Sequence, residues 1–154
     1  MKKQHLIFNL SEIQKIARNL KECFVKKTSN GACIVGLEGN LGAGKTTLTQ
    51  ALAKELGIKE KILSPTFVIM KKFAIRNSQF QNFYHIDCYR INKPEEILSL
   101  GFKEIISESE NIIIIEWADK IKKILLKNTT WLKFSFIDEK TRKIEIKKWK
   151  IKNV

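Results

Sequence analysis

Apolar residues recur along the chain in two alternating rhythms, one helical and one extended. In "LSEIQKIARNLKECF", Ile13, Ile16, Ala17, Leu20 and Phe24 follow a period near 3.6, so a first helix is expected with Ser11 as its N-cap and Asn30-Gly31 closing the loop beyond it. The run "ACIVGLE" reads as a buried strand. "TTLTQALAKEL" then places Leu48, Leu52 and Leu56 at i, i+4 and i+8 with Ala51 beside them, the stripe of a helix packed on a sheet. Ser64-Pro65 marks a turn, because the residue before proline avoids the helical region. "FVIMKKFAI" and "QNFYHIDCYRI", separated by "RNSQ", form an expected antiparallel hairpin.

Farther on, "PEEILSLGF" has proline in its first turn and Gly101 past its end, the asymmetry of a short helix, and "FKEIISE" adds another turn or two. "NIIIIEWAD" holds four consecutive isoleucines, as a strand covered on both faces does. A helix "DKIKKILLK", a strand "WLKFSFI", a turn at "DEKTR" and a last strand "KIEIKKWKI" complete the pattern. No internal repeat or linker interrupts it. The expectation is therefore a single α/β domain over residues 1–154, three-layer α/β/α with a mixed central sheet.

Between the first predicted strand and the second predicted helix lies "GNLGAGKT", which fits G-x-x-x-x-G-K-[ST] with Gly39, Gly44, Lys45 and Thr46 in the fixed places. Glycines there let consecutive N–H groups point inward as an anion nest opening onto a helix N-terminus. Lys45 sets a point charge against the outer phosphates, and the Thr46 hydroxyl can take one position around an octahedral magnesium ion. Strand, loop and helix follow in the order that such a phosphate loop requires. The fold expected is thus P-loop NTPase-like.

Magnesium on a nucleotide is usually oriented by a carboxylate at the end of a neighbouring strand. Asp87 in "FYHIDCYR" and Glu116 in "IIIIEW" are the candidates. The apolar run before Glu116 suggests a central strand beside the loop strand, which favours Glu116 as the metal carboxylate. Asp87 then orients water, makes an outer contact or serves as base for the attacking water. Ser64 and Thr66 in "SPTF" offer hydroxyls on a loop stiffened by Pro65, the chemistry of a switch element sensing a γ-phosphate. His85 reads first as a strand histidine with one structural hydrogen bond, and Arg90 as a side chain able to reach phosphate or RNA.

Composition adjusts this picture only at the edges. Three cysteines, Cys23, Cys33 and Cys88, are odd in number and lack a CxxC pair, which suits a reduced cytoplasmic protein. No apolar run approaches membrane-spanning length. The formal charge of +13 favours RNA or an acidic protein as partner. Yet only Arg18, Arg76, Arg90 and Arg142 are arginines in a chain rich in Lys, Ile and Asn, as drift in base composition also produces.

In combination and in this order, "GNLGAGKTT", "SPTF", "HIDCYR" and "EW" resemble the TsaE family, also called YjeE. The resemblance implies a small bacterial cytoplasmic ATPase, monomeric on its own. It further implies a role in threonylcarbamoylation of N6 of adenosine 37 in tRNAs, with the TsaB–TsaD heterodimer as partner and tRNA reached indirectly or within that complex. Its cofactors would be ATP and Mg2+. Leu41, Gly42, Ala43, Gly44, Lys45 and Thr46 would hold the phosphates, Thr46 and Glu116 the magnesium, and Ser64 with Thr66 the switch. Lys45, Asp87 and Glu116 would be the catalytic set, while the segment near Ser11 and Glu12 would lie by the nucleotide. Asn40 stands where the family commonly has Asp, and Ala118 where Pro often follows Trp. The first change removes a negative charge beside the loop and bears on nucleotide affinity. A small-molecule kinase shares the loop but needs an arginine-bearing lid, for which no insertion is evident, and a nucleotide-gated adaptor shares everything but turnover.

Overall fold

Four isoleucines in a row can be buried only if both faces of their strand are covered, and the computed structural model, which describes residues 3–28, 30–65 and 67–148, shows how. The strand Asn111–Glu116 (β5) is buried along its whole length. Ile112 and Ile114 enter one apolar cluster, and Ile113 and Ile115 enter another on the opposite face. Each such burial contributes about 1.5–3 kcal/mol.

Seven strands form one sheet in the order β1-β7-β6-β2-β5-β4-β3. The other strands are Gln4–Asn9 (β1), Cys33–Glu38 (β2), Met70–Ala74 (β3), Asn82–Asp87 (β4), Thr130–Phe136 (β6) and Thr141–Lys147 (β7). The loop strand β2 runs parallel to β5 on one side and to β6 on the other, and β4 runs parallel to β5. The C-terminal ends of β2, β4 and β5 therefore open on the same edge, with Asp87 directly opposite Glu116 in the register. β3 pairs antiparallel with β4, as the hairpin pattern predicts, although it begins only at Met70. Ile69 just before it has a positive φ of 56° and belongs to a turn.

Helices Ile13–Val25 (α1) and Lys45–Glu55 (α2) cover one face. The predicted stripe of α1, from Ile13 to Phe24, is buried as a set. On the other face lie Glu95–Leu98 (α3), Phe102–Ser107 (α4) and the segment Ala118–Ile124. Those layers confirm the α/β/α architecture over the parallel strands. Beyond them Ile7, Lys133 and Ser135 are exposed, so the β6–β7–β1 meander keeps an open outer face, as antiparallel strands can.

Three local expectations are corrected. A strand, β1, precedes the first helix, pairing with β7 from Gln4↔Ile146 to Asn9↔Thr141. The cap is Asn9 rather than Ser11: its side chain accepts from Ser11 N while Glu12 accepts from Asn9 N, a capping box on a 3-10 turn, Leu10–Glu12, that leads into α1. "DKIKKILLK" does not form an α-helix. Ala118–Ile124 is 3-10 helix broken at Ile121 (φ −117°, ψ 17°), and Leu125 is extended. Most of the basic run "KKWKIKN", from Trp149 onward, lies outside the described residues.

Candidate functional site

The end of β2 cannot continue as a strand through Gly39-Asn40-Leu41-Gly42, and glycine geometry decides where it goes. Gly39 has φ 142°, and a Cβ there would sit 2.8 Å from Phe134 O, so no other residue fits beneath β6. Ala43 N closes a turn onto Asn40 O at 3.1 Å. Gly44, left-handed at φ 110°, then starts α2, whose first residues are Lys45 and Thr46. The loop thus wraps a helix N-terminus, where free N–H groups and the helix dipole favour an anion.

A cavity of about 390 Å3 opens at this point, within the range for small-ligand sites. Its walls are the loop residues Leu41, Gly42 and Gly44, then Lys45, Thr46 and Thr47, with Ser64, Asp87, Tyr89, Glu116 and Trp117 facing them. Lys45 is buried, its Nζ donating to Gly39 O at 2.5 Å and Asn40 O at 2.8 Å. Its cation also lies 4.3 Å from the centre of the Trp117 ring. Burial pushes the Lys45 ammonium below its ordinary pKa, and Glu116, Asp87 and Asp119 act against that shift. Asn40 takes part through its carbonyl, so the exchange of Asp for Asn leaves the loop's hydrogen bonds in place.

Opposite the loop, the Thr46 hydroxyl lies 3.0 and 2.9 Å from the two oxygens of Glu116. Glu116 also faces His85 Nε2 at 2.8 Å. The expected single hydrogen bond of His85 therefore exists, but its partner is the candidate metal carboxylate. Asp87 is fixed at both oxygens: Ser64 Oγ donates to Oδ2 at 2.6 Å and Tyr89 N to Oδ1 at 2.9 Å. Ser64 thus lines the cavity and also bonds Asp87, while Thr66 lies outside the described residues.

Hard oxygen donors at Thr46 and Glu116, beside a nest of N–H groups and a lysine, fit magnesium carried on a phosphate chain. Among the described residues no cluster of three His, Cys, Asp or Glu is placed to hold a metal ion. Several predicted residues meet here: Leu41, Gly42, Gly44, Lys45, Thr46, Ser64, Asp87 and Glu116 all line one cavity. Ala43 is buried behind it. Ser11 and Glu12 do not line it, although Leu10 just before them has its Cδ2 3.8 Å from the Cβ position of Gly44. Arg90 points elsewhere, its guanidinium 5.2 Å from the Phe67 ring centre.

Two features lay outside the predicted site residues. Trp117 adopts a left-handed conformation (φ 57°, ψ 39°) that is uncommon for a bulky residue. It brings the indole to both Lys45 and Tyr89, whose ring centre is 5.2 Å away. Arg142, buried in β7, donates from Nη2 to Gly42 O at 3.2 Å. Its faint signal was its identity, one of four arginines among 29 basic residues.

Known proteins carry the same framework. The crystal structure of Bacillus subtilis YdiB superposes with a TM-score of 0.71 at 26% identity, covering 94% of this chain and 84% of that one. A Rickettsia typhi protein described as tRNA threonylcarbamoyladenosine biosynthesis protein TsaE is 40% identical over 116 residues, 75% of this chain and 77% of the relative. A Haemophilus influenzae protein of the same description is 30% identical over 132 residues, 86% of this chain and 80% of the relative. The model of the family described as threonylcarbamoyl adenosine biosynthesis protein TsaE matches residues 7–144, which span the phosphate loop, both acids and the last strand. The chain belongs to the TsaE family.

Proposed function

We propose that the protein is an ATPase of tRNA threonylcarbamoyladenosine biosynthesis, binding ATP with Mg2+ in the Gly39–Thr46 loop and acting with the TsaB–TsaD heterodimer. The observation that carries this reading is the meeting of Thr46 with Glu116 at the mouth of a glycine loop whose lysine is buried. The pathway comes from the family and its relatives. Among the described residues no helix is long and apolar enough to cross a membrane.

Each side chain has a task set by its surroundings. The loop's N–H groups and Lys45 bind the phosphates, and for that the Lys45 ammonium exchanges the Gly39 and Asn40 carbonyls for phosphate oxygens. Magnesium, when bound, would neutralise charge on the phosphates and on the departing oxygen. Thr46 and Glu116 would hold it, with His85 fixing the orientation of Glu116. Asp87, held by Ser64 and the Tyr89 N–H, orients a water molecule towards the γ-phosphorus. As the water oxygen bonds to phosphorus, the bond to the β-phosphate oxygen breaks, ADP departs and the water proton passes to Asp87. In this reading turnover resets the TsaB–TsaD complex between transfers.

The test is ATP hydrolysis by the purified protein, alone and with TsaB–TsaD, with Lys45→Ala as control. Slow turnover that the partners stimulate and Lys45→Ala abolishes is expected. Wild-type turnover in Lys45→Ala sinks the mechanism. Nucleotide binding without any stimulated hydrolysis would instead favour a nucleotide-gated adaptor.

A further inference from the structure

A phosphate nest works only if its peptide groups point N–H inward, because a single carbonyl turned into the nest places a partial negative charge against the anion. In this loop the critical peptide follows Gly42. Gly42 has φ 75°, and a Cβ built on it meets nothing within 4 Å, so packing does not dictate how that peptide is turned. Two hydrogen bonds do. Ala43 N donates to Asn40 O at 3.1 Å, and Gly42 O accepts from Arg142 Nη2 at 3.2 Å. Arg142 is buried and does not line the cavity, so its hold on Gly42 O draws that carbonyl away from the phosphate side.

The arginine is itself braced from the turn after β6, which opens on the same edge of the sheet as the loop because β6 runs parallel to β2. Nη1 donates to Asp138 O at 2.5 Å, in the turn between β6 and β7, and to Thr141 O at 3.0 Å, at the start of β7. That turn is closed by the Asp138 side chain, which accepts from Lys140 N and Thr141 N, and Lys140 O is tied to Leu10 N at 2.8 Å. The guanidinium lies 4.5 Å from the centre of the Phe136 ring. Nε has no hydrogen-bond partner, so the hydrogen bonds of the buried guanidinium all run from its two terminal nitrogens to these carbonyls. A lysine offers one point charge and cannot bridge the turn and the loop with a planar fork. This explains an arginine here in a chain whose basic residues are otherwise nearly all lysine.

We propose that Arg142 is a positioning residue for nucleotide binding, its fork holding the Gly42 carbonyl out of the phosphate cavity so that the nest is formed before the anion arrives. The inference rests on the nucleotide-binding reading of the loop, and the experiment separates the two. ADP affinity is measured by titration calorimetry on wild type, Arg142→Met, Arg142→Lys and Arg142→Ala, with melting curves confirming that each is folded. Arg142→Met and Arg142→Lys should each weaken ADP binding by about tenfold, the scale of one charge-assisted hydrogen bond. Hydrolysis should show the loss in KM with kcat little changed. Added methylguanidinium should restore affinity to Arg142→Ala, an outcome that a purely structural arginine would not give. Wild-type affinity in folded Arg142→Met, or full recovery in Arg142→Lys, overturns the proposal. Hydrogen exchange of the Ala43 amide in the ligand-free protein gives a second readout, expected to accelerate in Arg142→Lys. An unchanged rate there overturns the proposal even if the wild type binds no nucleotide, a result that would separately end the nucleotide reading.

Discussion

His85 Nε2 lies 2.8 Å from Glu116 Oε1, on neighbouring parallel strands and with both side chains buried. The tautomer carrying hydrogen on Nε2 donates to the carboxylate and leaves Nδ1, which has no partner, as a bare acceptor. Removing the donor leaves Glu116 under-bonded. His85→Leu should therefore cost about 1–3 kcal/mol in urea unfolding and raise the magnesium concentration needed for half-maximal hydrolysis. His85→Gln, which can present an N–H in its place, should keep the magnesium requirement near that of the wild type. Equal metal titrations for wild type and His85→Leu would remove the orienting role.

Thr46 and Glu116 should fail in the same way, because their oxygens face one another across the cavity mouth. Thr46→Val and Glu116→Gln keep shape but each removes one hard oxygen donor. Both are expected to abolish magnesium-stimulated hydrolysis while ADP binding without metal persists, read by calorimetry with chelator present. Loss of metal-free ADP binding in Glu116→Gln would contradict this division of labour.

Lys45 should trade stability for binding. Burial lowers its pKa, so its charge disfavours the folded state at neutral pH, and stability is regained as pH rises through the lowered value towards 10.5. Lys45→Met keeps the stem and removes the desolvated charge. Its melting temperature at pH 7 should equal or exceed that of the wild type, while nucleotide binding is lost. A marked fall in melting temperature would show instead that the carbonyl and indole contacts outweigh desolvation.

The thiols should separate by burial. Cys88 is pushed up to about 12, first by burial and then by the nearby Asp87, and burial likewise raises Cys33. Cys23 is partly exposed. In native protein at pH 8, mass spectrometry after brief alkylation should find modification at Cys23, with Cys33 and Cys88 reacting only after unfolding. An unfolded thiol ionises near 9.0 and folded Cys88 near 12, so the Cys88 contribution is intact below pH 9 and declines across that interval. Rapid native labelling of Cys88 would refute its burial.

The sequence by itself determined whatever depends on neighbours along the chain. Gly39 to Thr46 spell a phosphate loop because nest and helix start are local, and four isoleucines announce a doubly covered strand because side chains alternate across β5. Tertiary structure decided the rest. β1 carries little local signal, because "QHLIFN" is a short alternation whose strand exists by pairing with β7, some 140 residues later. The pattern "DKIKKILLK" reads as a helix, yet Trp117 turns left-handed and Ile121 breaks the run, so a 3-10 segment lies beneath the sheet instead. His85 became a support for Glu116, and Arg142 a brace for Gly42, only because strand order brings them together. Residues 31 and 100 positions apart carry no local signal of contact, since the sheet register and a buried guanidinium, rather than any periodicity, determine which polar groups must satisfy one another.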